Sequence, residues 1–296
     1  MATAVVVQCF AKTDTLADLC ASLLRMEGHE TIRLIFWCDN PAGVSRNAEQ
    51  YTAGHARMLE FLKIFAVNHV AGFRSVEILL NPTNLGPYRT CQIALDHAFA
   101  RSEFAIFSED DVIFSRDALV WFESALALGL LDQPDNWALA GESPFFDAQS
   151  RIPSPGYIER MIQHARQEDL GHYYTFHDSV PSTIFATTKT RWREFGETRG
   201  QPCGDVEVNK RCQAEGKGSI YPVVPRAKDV GMLHDLGHSV AVHTKAGVTE
   251  IKHTYLLAED IYPAGPLPRL PPQLYAGDKG QLWLRSTLRE SATPIA

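Results

Sequence analysis

The sequence predicts an α/β protein with a Rossmann-like, mostly parallel sheet and helices on both of its faces, and three observations lead to that prediction. Short apolar runs of the length of a buried strand recur through residues 4–107. Segments with a helical spacing of apolar residues lie between these runs, and turn-forming residues separate the two. Strands that alternate with helices in this way pair in parallel. Ligands of such sheets bind beyond the carboxyl ends of the strands, where we expect the functional residues.

The first half of the chain carries the regular part of this pattern. Strands are predicted at residues 4–8, 32–37, 75–80 and 104–107. Helices are predicted at residues 15–26, 48–68 and 88–100, where apolar residues recur every three or four positions. The last helix follows a turn-rich stretch at residues 81–87, whose prolines and glycine end the preceding strand.

The second half is less regular. We predict helices at 117–130 and 205–215, strands at 137–140, 183–187 and 219–224, and a long, partly helical insertion at 142–178. Five prolines fall within residues 263–272, which is typical of a linker or a surface strap. The predicted organisation is therefore one domain over residues 1–259, with halves 1–116 and 117–259, followed by a proline-rich strap and short helix at 260–296.

Composition and charge exclude several classes of function. The net charge is −7 and no run of Lys or Arg is present, so a nucleic-acid partner is not expected. No apolar stretch reaches the roughly 18 residues of a membrane span, and the first ten residues lack the basic start of a signal peptide. The six cysteines form no Cys-x-x-Cys pair, which argues against zinc and predicts reduced thiols. We expect a cytoplasmic protein.

Three consecutive carboxylates form the most informative motif. Glu109, Asp110 and Asp111 follow the apolar strand at 104–107 and precede a second apolar run, Val112 to Phe114. Adjacent carboxylates repel one another, and the end of a buried strand partly desolvates them, so a cation would stabilise the cluster. Oxygen ligands alone favour Mg²⁺ or Mn²⁺, which also binds substrate phosphates. The alternative is a solvated turn between two strands.

The segment from Phe104 to Leu119 resembles the metal-binding segment of GT-A glycosyltransferases. It is most similar to that of the inverting N-acetylglucosaminyltransferase I family, whose variant of the Asp-x-Asp motif is Glu-Asp-Asp. The likeness extends over about residues 5–239. It implies a GT-A fold with a nucleotide-sugar-binding first half and an acceptor-binding second half, a UDP-sugar donor, Mn²⁺ or Mg²⁺, and inverting transfer to a hydroxyl acceptor. It also implies that Asp111 binds the metal, Asp110 the donor and Glu109 the donor sugar.

Inverting transfer requires a base that takes the proton of the acceptor hydroxyl. The family places an Asp just ahead of a helix and upstream of a Pro-x-x-x-Arg segment, which matches Asp205 and residues 222–226 here. The tryptophan that flanks this Asp in the family is replaced by Gly204. Two other interpretations remain open. Asp205 is also a residue type that caps helices, and Glu207 is an alternative base.

Loops after the first two strands hold the base and phosphates of the donor in this family. The resemblance implies donor contacts from Cys9 and Phe10, a phosphate contact from Lys12, and an Asp39 that accepts the imide N–H of uracil. Asp39 also fits an ordinary Asp-Asn-Pro turn. Arg89 is a further candidate phosphate ligand, or a surface residue of its helix. Cys9 and the cysteine at position 38 are expected to be neighbouring thiols.

A Gly- and His-rich stretch at residues 230–239 resembles the loop that closes over the donor in this family. A late histidine serves some GT-A enzymes as an additional metal ligand, which makes His238 or His234 a candidate, although a lone His is often structural. Aromatic residues in the insertion either form a wall for the acceptor or fill the core. They are Phe145, Phe146, Tyr157, Tyr173 and Tyr174.

Two other functions use similar parts. A sugar nucleotidyltransferase also combines carboxylates, Mg²⁺ and an α/β sheet, but it usually has a Gly-rich, basic loop after its first strand, and residues 9–14 lack one. A non-catalytic carbohydrate-binding protein of the same fold would be recognised by loss of the acidic triplet or of the base, and both are present here. The sequence therefore favours a glycosyltransferase.

Overall fold

Strands and helices alternate along the chain much as predicted. A computed structural model describes residues 2–45, 47–144, 157–231, 234–237, 256–262 and 273–274. The strands in these ranges are β1 Ala4–Cys9, β2 Arg33–Cys38, β3 Ser75–Leu80, β4 Phe104–Glu109, β5 Val112–Phe114, β6 Asn136–Ala140, β7 Tyr173–His177, β8 Ile184–Thr188, β9 Gly218–Pro222, β10 Ala227–Asp229 and β11 Gln273–Leu274. The helices are α1 Thr13–Arg25, α2 Ala48–His69, α3 Gly86–Phe99, α4 Ala118–Ala127, α5 Tyr157–Gln167, α6 Lys189–Arg199, α7 Gly204–Glu215 and α8 Ala258–Ile261.

Nine of these strands form one sheet, in the order β11-β7-β9-β6-β8-β4-β1-β2-β3. The strands β4, β1, β2 and β3 run parallel to one another, as do β6 with β9 and β7 with β11. Strand β8 is antiparallel to both of its neighbours, and β7 is antiparallel to β9. The predicted fold class, α/β with a mostly parallel sheet, is confirmed. The short strands β5 and β10 pair separately in antiparallel fashion.

Helices cover both faces of the sheet. Alternate residues of a strand point to opposite faces, so Val5 and Val7 of β1 pack in one core cluster and Val6 in the other. The first cluster includes the apolar faces of α1, α2 and α4, and the second those of α3 and α6. Burial on both faces is the reason that β1, β2 and β4 read as nearly continuous apolar runs.

Helix α6 and strand β7 are the longest elements of the second half that were not predicted. Helix α6 is strongly charged and contributes few apolar residues to the core, chiefly Trp192 and Phe195, so its sequence lacks a clear helical period. It begins where the Thr188 hydroxyl accepts a hydrogen bond from the backbone N–H of Arg191. Strand β7 lies within the predicted insertion but is a member of the main sheet.

Some predictions fall outside the described residues. They include the aromatic residues Phe145 and Phe146, the side chain of Tyr157, the candidate metal ligand His238, and the proline-rich segment at 263–272. The predicted domain boundaries therefore stay a prediction. The described helices include none that is both long and apolar enough to cross a membrane.

Candidate active site

A cavity of about 400 Å³ opens at the carboxyl ends of β1, β2 and β4. Its position is the one expected for ligand sites of open α/β sheets. Most of the sequence-predicted site residues line it together. They are Cys9, Phe10, Lys12, Asp39, Glu109, Asp110, Asp111 and Asp205. Residues that sequence reasoning missed complete the wall, among them Tyr51, Tyr88, Thr183, Arg199 and Asp229. Gly231, from the Gly- and His-rich stretch at residues 230–239, also lines the cavity.

The acidic triplet lies at the end of β4 and in the turn to β5. Asp110 and Asp111 are only 3% and 5% exposed, so two carboxylates are held almost out of water. One oxygen of Asp110, Oδ2, accepts a hydrogen bond from the backbone N–H of Phe10 at 3.0 Å. Burial and the neighbouring charge of Asp111 raise the pKa of Glu109 to about 8. The solvated-turn alternative does not hold, because this turn is buried.

The ammonium group of Lys12 lies between the two aspartates. Its Nζ is 2.9 Å from Asp110 Oδ1 and also contacts Asp111 Oδ2. Burial alone would lower the pKa of Lys12, but the charges of Asp110 and Asp111 raise it well above its usual value. The lysine predicted to face a phosphate therefore also neutralises part of the acidic cluster.

The acidic triplet implies a divalent metal. The residues present fit a metal ion whose remaining ligands come from a substrate. Asp111 Oδ1 is buried and has no hydrogen-bond partner in the described structure. A buried carboxylate oxygen without a partner is costly, and an ion at the cavity wall would satisfy it. Within the described ranges, no three His, Cys, Asp or Glu side chains are grouped to hold a metal. This combination suits an Mg²⁺- or Mn²⁺-like ion that keeps water and phosphate ligands.

The loop after β10 covers the triplet. The backbone N–H of Val230 donates to the carbonyl of Asp111 at 2.8 Å, and Gly231 packs so closely that a Cβ there would lie 1.7 Å from Asp111 Oδ2. His234 does not face the triplet, because its Nε2 lies 3.0 Å from Asp14 Oδ1 at the start of α1. His238, the candidate metal ligand, lies outside the described residues.

Asp39 lines the cavity, but its carboxylate is already occupied by the protein. It accepts hydrogen bonds from the backbone N–H groups of Asn40, Leu85 and Gly86 and from the side-chain amide of Asn81. The bonds from Asn40, Asn81 and Leu85 reach Oδ1 and the bond from Gly86 reaches Oδ2, so Asp39 holds the loop before α3 in place. A contact between Asp39 and a uracil imide stays a prediction.

Arg89 is not brought to the cavity, in contrast to the prediction. It is exposed on the first turn of α3, and its guanidinium donates to the side chain of Gln92. The arginine at the cavity is instead Arg199, at the end of α6, which is 3% exposed. Arg199 donates from Nη2 to the carbonyl of Ser182 at 2.9 Å, and its Nε and Nη1 have no partner in the described structure.

Asp205 occupies the second position of α7, and Cys203 is the residue at the N-cap. Asp205 is therefore not the N-cap residue of α7, in contrast to the capping interpretation. Its Oδ1 does accept a hydrogen bond from the backbone N–H of Val206 at 2.9 Å. Burial, followed by a hydrogen bond with Asp205, raises the pKa of Tyr88 to about 12. Glu207 pairs with Lys210 at 2.8 Å and does not line the cavity.

Two smaller expectations concern the strand ends and the aromatic wall. Cys9 and Cys38 are paired in register across β1 and β2, and both are free thiols. Tyr173 and Tyr174 lie in β7, pack against core clusters and do not line the cavity, so they do not form the predicted acceptor wall there.

The sequence matches no protein-family profile and no curated protein. Among solved structures, the chain is similar to mannosyltransferase PcManGT from Pyrobaculum calidifontis in complex with GDP-Man and Mn²⁺, at 11% identity over 76% of this chain and 57% of that one, with a TM-score of 0.46. It is similar to S. aureus TarS at 13% identity over 100% of this chain and 50% of that one, with a TM-score of 0.42. The TarS fragment 1–349 in complex with UDP-GlcNAc is 17% identical over 52% of this chain and 37% of that one, with a TM-score of 0.35. The chain thus covers 57%, 50% and 37% of the lengths of these three neighbours. All three TM-scores lie below 0.5, so these similarities do not establish its function.

Proposed function

We propose that this chain is a glycosyltransferase of the GT-A kind that transfers a sugar from a nucleotide-sugar donor, a UDP-sugar, to a hydroxyl acceptor with inversion. One observation carries the proposal. Asp111, with an unpartnered buried oxygen, lies beside Asp110 and Lys12 at the carboxyl end of β4, in the same cavity as Asp205. This arrangement supports the proposal, because it combines groups suited to a cation and a phosphate with a carboxylate that can accept a proton.

The donor's diphosphate would bind at the triplet. A divalent ion there, held by Asp111 and in part by Asp110, would stabilise the negative charge of the departing nucleoside diphosphate. Lys12 is the nearby cation for the phosphate oxygens. The nucleobase of the donor would lie near the ends of β1 and β2, where the rings of Phe10 and Tyr51 pack with centroids 5.0 Å apart. Aromatic faces of this kind favour a planar base.

Asp205 is the proposed general base. The acceptor oxygen would attack the anomeric carbon from the face opposite the leaving group as the carbon–oxygen bond to the phosphate breaks, and Asp205 would take the hydroxyl proton. Glu109 supports this arrangement as a sugar contact. It lines the same cavity as Asp111 and Asp205, so its carboxyl group can hydrogen-bond a sugar oxygen.

The test is a panel of UDP-, GDP-, dTDP- and CMP-sugars with and without Mn²⁺. We expect one nucleotide-sugar to raise the melting temperature only with the metal, because a ligand of the native state at 100 times its Kd adds about 2.7 kcal/mol. The same donor should slowly release its nucleoside diphosphate and free sugar. If no donor stabilises the protein, the proposal is wrong. If the protein instead forms a nucleotide-sugar and pyrophosphate from a nucleoside triphosphate and a sugar phosphate, it is a nucleotidyltransferase.

A further inference from the structure

We propose that Lys12 is a built-in counter-ion of the acidic triplet that must leave when the metal arrives, so that metal and nucleoside diphosphate bind as a coupled pair. The inference rests on the proposed function for the identity of its two ligands. It is argued from the hydrogen bonds and ion pairs that the carboxylate oxygens of Asp110 and Asp111 already make.

Three of the four carboxylate oxygens of these aspartates have partners. Lys12 Nζ lies 2.9 Å from Asp110 Oδ1 and also contacts Asp111 Oδ2. The backbone N–H of Phe10 donates a hydrogen bond to Asp110 Oδ2 at 3.0 Å. Of these four oxygens, only Asp111 Oδ1 has no hydrogen-bond partner in the described structure. A metal that uses more than this one oxygen therefore competes with the ammonium group for the same atoms.

An ammonium and a divalent cation cannot share those oxygens at low cost. Both would be positive and close together in a partly desolvated site, where charge repulsion is much stronger than in water. The Lys12 side chain is 11% exposed, so its ammonium also loses much of its hydration where it stands. Moving it away without a new anion would leave a charge poorly compensated.

The donor's diphosphate is the anion that would receive Lys12. Lys12 and Arg199 are the cationic side chains in the described lining of the cavity. Of the two, Lys12 contacts Asp110 and Asp111, whereas Arg199 donates to the carbonyl of Ser182. Lysine has a flexible four-carbon stem and binds phosphate as a point charge. With the diphosphate bound, Lys12 would contact phosphate oxygens instead of carboxylate oxygens. The metal would then bind the carboxylate oxygens that Lys12 no longer contacts.

This exchange has a thermodynamic consequence. The metal alone must displace Lys12 without compensation, and the diphosphate alone must compete with the carboxylates for Lys12. Each ligand removes the obstacle to the other, so each raises the affinity of the other by the same factor. We therefore expect weak binding of Mn²⁺ alone and much tighter binding with UDP.

The experiment measures free Mn²⁺ by electron paramagnetic resonance during titration of the full chain, with and without UDP. In wild type, UDP should raise the Mn²⁺ affinity on the order of 100-fold, within the usual range of site coupling. Lys12→Met should bind Mn²⁺ alone on the order of tenfold more tightly than wild type, and UDP should raise that affinity by a smaller factor. Lys63→Met, which removes an exposed lysine of α2, is the matched control and should behave like wild type.

Each outcome decides the proposal. If Lys12→Met binds Mn²⁺ alone no better than wild type, Lys12 is not a competitor. If wild type binds Mn²⁺ equally well with and without bound UDP, the coupling is absent, and this second readout holds even if the variant fails to fold. If UDP does not bind at all while Lys12→Met still gains Mn²⁺ affinity, the counter-ion role stands and the donor assignment falls.

Discussion

Asp205 and Glu207 lie two positions apart on α7 but in different surroundings. Asp205 lines the cavity that holds the acidic triplet, whereas Glu207 forms a surface ion pair with Lys210 at 2.8 Å. Sequence position alone left both as candidate bases. Their environments now favour Asp205, because a base must reach the acceptor hydroxyl.

Asp205→Asn should lower turnover on the order of 10²- to 10⁴-fold and leave the affinity for the donor nearly unchanged. Asn has the same size and can still accept the Val206 N–H, but it cannot take a proton. The measurement is the rate of transfer, with donor affinity and melting temperature recorded in parallel. Glu207→Gln is the control and should transfer at the wild-type rate. Wild-type transfer by Asp205→Asn would remove Asp205 from the mechanism.

Glu194 tests the fold away from the cavity. It accepts hydrogen bonds from Trp137, Arg191 and Lys217. Burial alone would raise its pKa, but these partners lower the pKa of Glu194 from its usual 4.5 to about 2. A lowered pKa stabilises the folded state at pH values above 4.5, and this contribution is lost as the pH falls towards 2.

Glu194→Gln should therefore lower the free energy of unfolding by about 1–2 kcal/mol at pH 7, a value reduced for solvent screening. The difference from wild type should shrink below pH 4.5 and nearly disappear at pH 2. Urea titrations at pH 7, 5 and 3 measure it. Glu103→Gln removes an exposed carboxylate 3.6 Å from Lys189 and should change little. A constant difference at all three pH values would contradict the assigned contacts.

Residue chemistry was predictable where it follows directly from the neighbouring sequence. The acidic triplet is one such case, because its apolar flanks place it at a strand end. Arg89 and Arg199 show the opposite case. Nothing local distinguishes these two arginines, and the burial of Arg199 depends on α6, whose charged sequence hides its helix. Asp39 was located correctly, but its hydrogen-bond donors come from the distant loop at residues 81–86.

At the scale of elements, the parallel strands and their helices were the predictable part. Residues buried on both faces produce long apolar runs, and those runs identify β1, β2 and β4 within one or two residues. Strand β7 was read as part of an insertion, and its partner β9 lies far along the chain. Pairing over such distances leaves no local signal.

The loop after β10 is the element whose position matters most for the site. Gly231→Ala would place a Cβ 1.7 Å from Asp111 Oδ2, so the loop or the aspartate must move. We expect binding of UDP with Mn²⁺ to weaken on the order of tenfold while the fold persists, because ligand groups require positioning within about 0.5 Å. Calorimetric titration measures the affinity.

Gly72→Ala is the matched control for this change. A Cβ at Gly72 would meet nothing nearer than 4.0 Å, and no positive φ makes the substitution strained. It should leave both binding and melting temperature close to wild type. Unchanged UDP binding by Gly231→Ala would show that this loop does not set the position of Asp111.

At the scale of the whole molecule, the cavity is assembled from both halves of the chain. The first half supplies Lys12 and the acidic triplet, and the second supplies Arg199, Asp205 and Gly231. The two halves meet where β4 pairs with β8 in the continuous sheet. The net charge of −7 gives no indication of an anionic ligand, because that ligand would meet local cations rather than the average charge.

The most direct test of the central claim is calorimetric titration of UDP into wild type and Asp111→Asn, each with and without Mn²⁺. Wild type should bind UDP tightly only with the metal, and Asp111→Asn should lose affinity on the order of 100-fold, because it lacks the charged oxygen that holds the ion. Asp18→Asn, an exposed position on α1, should match wild type. Asp111 does not hold a metal for UDP if UDP binds Asp111→Asn as tightly as wild type in the presence of Mn²⁺, and the cavity is not a UDP site if UDP binds neither protein.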